Sequence, residues 1–391
     1  MSRLDELIQE LCPDGVEYKK LTDVANVLYG YPCDATMFNE ANNGIPLIRI
    51  RNVLAGMTET YTTENIPQEY VIKKGDLLVG MDGNFHVGNW KMDEAFLCQR
   101  VCKIYAKNNE NDILNGFLSH LLGPIMKKIE NGKQSGTVKH LLVKDINSIS
   151  ISVPPLEVQR EIVRILDCFT LLTAELTAEL TARKKQYEYY QNILLTCDGF
   201  NIEPVDKKLG KEIQWLTLGE VCTLKAGKTI SSTEIFHEPF GKYQYPCFGG
   251  NGLRGYVKSY NQEGNFSLIG RQGALCGNVC YASGKFYATE HAVVVEPKGK
   301  CDERFLYYIL IAANLNQYKT AGAQPGLSVA KLEKVLVLIP SMSAQKRIVD
   351  ILDRFDALCN DITIGLPAEI EARQKQYEYY RDKLLSFKEK K

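Results

Sequence analysis

The sequence predicts an α+β protein. Two tandem α+β domains are separated by two long antiparallel helices forming a coiled coil, and the whole is a pseudo-twofold internal repeat. Three observations predict this. Residues 159–169 read QREIVRILDCF and residues 345–355 read QKRIVDILDRF, with seven of eleven positions identical at an offset of 186. QYEYY occurs at 186–190 and again at 376–380, and each copy is followed by a Leu-Leu pair, Leu194–Leu195 and Leu384–Leu385. The stretches upstream of these matches agree only in scattered places and read as short strands and turns.

The helices follow from periodicity. In the first, apolar residues fall at Ile162, Leu166, Phe169, Leu172, Leu176, Leu180, Tyr187, Tyr190 and Leu194. In the second they fall at Ile348, Leu352, Phe355, Leu358, Ile362, Tyr377, Tyr380 and Leu384. Steps of three, four and seven give one apolar stripe per helix. Pro154–Pro155 and Pro340 mark the helix entries. Gly365 and Pro367 predict a break and a restart in the second helix, which the first lacks. Two stripes of this length need a partner, and each helix is the other's nearest.

The domains come from a different pattern. PLIRI (46–50), DLLVG (76–80), FSLIG (266–270) and HAVVVEP (291–297) are short β-rich runs bounded by Gly, Asn and Asp. Short helices are expected at 116–130 and 303–317. Weak echoes join the two copies: LTDVANVLYG (21–30) with LGEVCTLKAG (218–227), GMDG (80–83) with GRQG (270–273), and Gly136 and Leu141 with Gly322 and Leu327. The expected segments are 1–153 and 199–339 for the domains, and 154–198 and 340–391 for the helices.

Composition narrows the function classes. With 47 basic and 47 acidic side chains the formal charge is zero, which argues against coating DNA by bulk electrostatics but not against local basic groups. No run approaches the ~18 apolar residues of a membrane span. The acidic opening MSRLDELIQE is unlike a signal peptide, so a cytoplasmic protein is expected. Of the 12 cysteines none forms a C-x2-C pair, so free thiols and no metal are expected.

Catalytic patterns are incomplete or missing. GGNGLRG (249–255) satisfies G-x-G-x-x-G, but the adjoining YVKSYNQEG (256–264) is turn-like and strand-like rather than helical. There is no phosphate-binding GxxxxGK[ST] and no HExxH or GxSxG. VPPL (153–156) lacks the acid or amide and the aromatic of an amino-methyltransferase loop. The five histidines are scattered. Nothing points to an enzyme.

Two variable domains, each followed by a near-identical helix with QYEYY and a Leu-Leu pair, resemble the specificity subunits of type I restriction-modification systems. CPDGVEYKKL (12–21) and LPAEIEARQKQYEYYRDKLL (366–385) look like stretches of that family. The resemblance covers essentially the whole chain. It implies that each domain is a target recognition domain reading one half of a bipartite, asymmetric double-stranded DNA sequence. It implies that the helices act as a spacer and dock two methyltransferase subunits, which bind S-adenosylmethionine and methylate adenine, and that motor-nuclease restriction subunits join them. This chain itself would hold no cofactor. The tandem TAELTAEL (173–180) resembles short repeats that tune the distance between half-sites in some members.

Base edges are read by Arg, Lys, Asn and Gln on loops. In the first domain the candidates are Arg49, Arg51, Asn52, Asn84, Lys133, Gln134, Ser135, Thr137, Lys139 and His140. In the second they are Lys225, Lys228, Asn251, Arg254, Arg271, Gln272, Gln324 and Lys331. Two rival readings remain at this point. One is a duplicated coiled-coil scaffold binding protein or carbohydrate, and the other is a fused methyltransferase–nuclease, which the missing catalytic loops disfavour.

Overall fold

The computed structural model describes residues 3–107, 112–133, 138–195, 213–273, 275–299, 301–320 and 325–390. They form two compact units, Met1–Glu175 with Ile370–Lys391, and Leu176–Glu369.

In the first unit a four-stranded antiparallel sheet runs in the order Ala25–Tyr29, Val101–Ala106, Leu77–Gly80, Val87–Asn89. All four residues of Leu77–Gly80 are buried, because both faces of the strand are covered. Leu77 and Val79 face a core shared with Phe117, Leu118, Leu121 and Leu122 of the helix Asn115–Asn131. Leu78, on the opposite face, joins Ile48, Ile72, Trp90 and Leu97 beneath a second, five-stranded sheet. The run at 46–50 is strand only to Ile48. The Asn52 side chain then accepts the Arg49 amide at 3.2 Å and turns the chain into the 3-10 helix Ile50–Asn52.

The second unit carries a six-stranded sheet in the order Cys222–Ala226, Ala292–Pro297, Gln262–Gly270, Val279–Ala288, Tyr245–Gly249, Gly252–Val257. GGNGLRG forms the hairpin turn between the last two of these strands, so it does not open a helix. The helix expected at 303–317 runs only over Glu303–Ala312. Asn314 takes a left-handed conformation (φ 43°), and the chain continues as the 3-10 helix Leu315–Tyr318.

The first long helix, Leu156–Leu195, is unbroken over 40 residues. The second divides into Met342–Asn360 and Leu366–Leu384. Between them the Asp361 carboxylate accepts the amides of Thr363 and Ile364 at 2.7 and 3.2 Å. A Cβ at Gly365 would run into the carbonyls of Ala357 and Asp361. Pro367 sits in the first turn of the restarted helix, where a missing N–H costs nothing.

The repeats interleave. Val158, Ile162 and Leu166 fill the core of the first unit together with Tyr377, Leu384 and Leu385, and Phe169 stacks on Tyr380 at 5.4 Å. Ile348 and Leu352 fill the core of the second unit together with Tyr187, Leu194 and Leu195, and Phe355 stacks on Tyr187 and Tyr190 at 6.0 and 5.5 Å. Each unit thus takes its Q-x2-IV-x-ILD-x-F segment from one copy and its QYEYY segment from the other.

Equivalent side chains lock each unit. Gln159 is fully buried, accepts the Leu114 amide at 2.9 Å and donates to the carbonyls of Asp112 and Pro154 at 2.9 and 2.7 Å. Gln345, also fully buried, accepts the Asp302 amide at 2.7 Å and donates to Pro340 at 2.8 Å. Beside them, His120 bridges Asp167 (2.8 Å) and the Tyr377 hydroxyl (3.0 Å). Tyr308 occupies the matching place in the second unit and donates to Asp353, which also accepts from Arg304 at 2.7 Å.

Candidate nucleic-acid interface

The weak glycine echoes of the sequence build one feature twice. In each unit a strand whose last four residues are buried, Leu77–Gly80 or Gln262–Gly270, leads into a paired-glycine turn. Gly80 donates to the His86 carbonyl at 2.9 Å, and Gly270 to that of Asn278 at 2.8 Å. The next amide, Met81 or Arg271, donates to Arg100 or His291 at 2.8 or 3.0 Å. The carbonyl of that same residue accepts from Leu141 or Leu327 at 2.7 or 2.8 Å. Gly83 donates to Lys139 at 2.8 Å and Gly273 to Pro325 at 3.1 Å. Gly83 and Gly273 sit at φ 71° and 92°, which only glycine adopts without strain. Gly30 and Gly227 close the frame, donating to Val101 and Ala292 at 2.9 and 3.0 Å.

A cleft opens over each frame. The first, of about 670 Å³, is lined by Phe38, Arg49, Arg51, Leu54, Asp82, Asn84, His86, Cys98, Gln99 and Arg100, among others. The second, of about 830 Å³, is lined by Asn251, Leu253, Arg254, Gln272, Leu275, His291 and the glycines around them. The first is rich in arginine. Arg49 lies over the Phe38 ring at 5.5 Å, Arg51 donates to Thr60 at 3.1 Å, and Arg100 lies 3.5 Å from Asp82. At the cleft wall the Cys33 thiol donates to the Tyr31 carbonyl at 3.3 Å, and the neighbouring Cys33 and Arg49 hold the Cys98 thiol below its ordinary pKa.

Of the sequence candidates, Arg49, Arg51 and Asn84 line the first cleft, and Asn251, Arg254 and Gln272 line the second. His140 borders the first cleft through a 2.7 Å contact with Asp82, and Lys139 through its carbonyl. Arg271 lies in the second frame. Lys228 pairs with Thr289 in a short bridge directly after Gly227. Four candidates have local roles: Asn52 caps a turn, Lys133 pairs with Asp145 at 2.6 Å, Lys225 pairs with Glu296 at 3.2 Å, and Lys331 lies in the short helix Val329–Leu332. Gln134, Ser135, Thr137 and Gln324 lie outside the described residues.

Sequence reasoning missed Asp82, His86, Gln99, Arg100 and His291. Only strand pairing brings the turns at 98–100 and 289–291 to the glycine frame, and no local pattern announces it. In the helices, Tyr189 and Tyr379, equivalent residues of the two QYEYY copies, are 59% and 64% exposed.

The comparisons with known proteins agree with this duplication. The family model described as the type I restriction modification DNA specificity domain matches twice, at residues 13–183 and 210–372. The chain belongs to the type I restriction-modification DNA specificity family. Within that family it is 50% identical over 212 residues to the specificity subunit of the Escherichia coli EcoprrI type I restriction enzyme, covering 53% of this chain and 51% of that subunit. The chain thus spans about half the length of that relative. It is 32% identical to a putative type I restriction enzyme specificity subunit of Haemophilus influenzae, over 95% of this chain and 96% of that one. The crystal structure of a type I restriction-modification S subunit from M. genitalium shares the fold, with a TM-score of 0.63 at 16% identity over 95% of this chain and 96% of that chain.

Proposed function

We infer that this specificity-family chain is the DNA-reading subunit of a type I restriction-modification complex and has no catalytic site of its own. One observation carries this reading: the two clefts share a main-chain frame but present different side chains. A repeated frame with divergent lining suits the reading of two different half-sites, so the target is bipartite and asymmetric. Arginine in the first cleft suits guanine O6 and N7, while Asn251 and Gln272 in the second suit adenine N6 and N7.

Under this reading two methyltransferase subunits dock on the helical segments, where Tyr189 and Tyr379 offer matched exposed aromatics. Those subunits bind S-adenosylmethionine and methylate adenine, and motor-nuclease subunits complete the restriction complex. The complex works in the cytoplasm. Among the described residues, no helix is long and apolar enough to cross a membrane. The test is methylome sequencing of cells expressing the chain with its methyltransferase partner. A single split motif with methyladenine in both halves is expected. A continuous motif, or methylation identical to that of the partner alone, would overturn the reading.

A further inference from the structure

The turns at 98–100 and 289–291 hold the same place in the two units. Cys98 bridges to Tyr31 and Thr289 to Lys228, and the carbonyls of Arg100 and His291 accept the amides of Met81 and Arg271. Each turn is therefore pinned at both ends by main-chain bonds that do not depend on side-chain identity. What differs is the chemistry on show: Gln99 and Arg100 in one unit, Glu290 and His291 in the other.

Both turns carry marks of a site built for a ligand. Arg100 is held at φ 70°, a conformation that residues other than glycine rarely adopt, and its exposed guanidinium lies at the first cleft. In the second unit, Thr289 Oγ1, Glu290 Oε2, His291 Nδ1 and Arg271 Nε are buried and have no hydrogen-bond partner among the described residues. Buried polar groups are nearly always partnered, so four orphans gathered at Arg271 and the 289–291 turn, where His291 lines the second cleft, call for a ligand that brings both donors and acceptors. The chemistry is directional. His291 Nε2 already meets Glu290 Oε1 at 3.3 Å, leaving Oε2 as an acceptor, and Arg271 Nε can only donate.

We propose that these two turns are the specificity-determining elements of the chain, each reading one base-pair edge of its half-site. Glu290 with Arg271 takes an edge that offers an exocyclic amino group beside an acceptor, as adenine N6 and N7 do. Arg100 takes the acceptor pair O6 and N7 of guanine. This rests on the DNA-reading function proposed above and names the residues that carry it.

The test uses the full chain assembled with its methyltransferase partner, reading methylated sites from a randomised DNA library. Arg100→Gly suits the left-handed backbone, so it removes the guanidinium without straining the fold. It should relax one position of the first half-site by at least about tenfold in base preference, with the second half unchanged. Glu290→Gln should change the preferred base at one position of the second half only. A thermal unfolding scan of each variant establishes that it is folded. A parallel arm exchanges residues 21–153 for those of a relative. If the exchange retargets the first half while both folded point variants keep the parent motif at full preference, the turns are not the readers and the DNA-reading function stands. If the exchange leaves the motif unchanged, the DNA-reading function fails and this inference with it.

Discussion

Gln159 and Gln345 open the two matched helical segments, and their amides make bonds that no apolar stripe reveals. Each satisfies buried main-chain groups at the start of a domain helix, Leu114 N–H in one unit and Asp302 N–H in the other. Replacing either by Leu leaves a buried amide unpaired and should cost about 1–3 kcal/mol of the stability of that unit, measured by urea unfolding. His120 carries a different expectation. Its bonds suit the neutral ring, with Nε2–H donating to Asp167 and Nδ1 accepting from Tyr377. Burial, the main cause, holds its pKa below the ordinary 6.5 against the pull of Asp167. The unfolded chain then takes up a proton that the folded chain refuses, so stability falls as pH drops below about 6.5. Melting scans between pH 7.5 and 5.5 should show this loss, and His120→Gln should flatten it. Tyr308, at the matching place, does not titrate in that window, so the second unit should show no equivalent slope.

Among the elements, the first long helix runs unbroken through TAELTAEL, with Leu176 and Leu180 half-buried and the intervening Ala and Glu exposed. An extra TAEL after Leu180 keeps that pattern. Four residues lengthen a helix by about 6 Å and turn it about 40° past a full turn. A base pair advances about 3.4 Å and turns about 34–36°. The rotations nearly match, so the insertion should widen the unspecified spacer of the DNA target by about one base pair and leave both half-sites intact. Methylated-site sequencing of the two forms decides it. An unchanged spacer at full activity would reduce TAEL to good helix-forming sequence.

For the whole molecule, modular reading is the central expectation. Exchanging residues 21–153 for those of a relative should alter one half-site and spare the other, because each cleft is framed within its own unit. Change in both halves would refute modularity. The chain purified to homogeneity should transfer no methyl group to DNA from S-adenosylmethionine, in an assay where adding the methyltransferase partner restores transfer.

The duplication, the long helices, the break at Gly365 and the α+β class were legible in the sequence, because periodicity and internal identity are local properties of the chain. Even the faint glycine matches at 80–83 and 270–273 fell on equivalent turns, since a left-handed turn tolerates few other residues. What only the tertiary structure decided is the pairing. The interleaving of each Q-x2-IV-x-ILD-x-F segment with the other copy's QYEYY joins residues far apart in the chain, Phe169 with Tyr380 and Phe355 with Tyr187. The turns at 98–100 and 289–291 reach their clefts only through strand registers set by burial. Arg49 and Lys133 look alike as loop cations in the sequence. A cleft wall for one and an aspartate partner for the other separate them, and both depend on contacts between segments that no local pattern encodes.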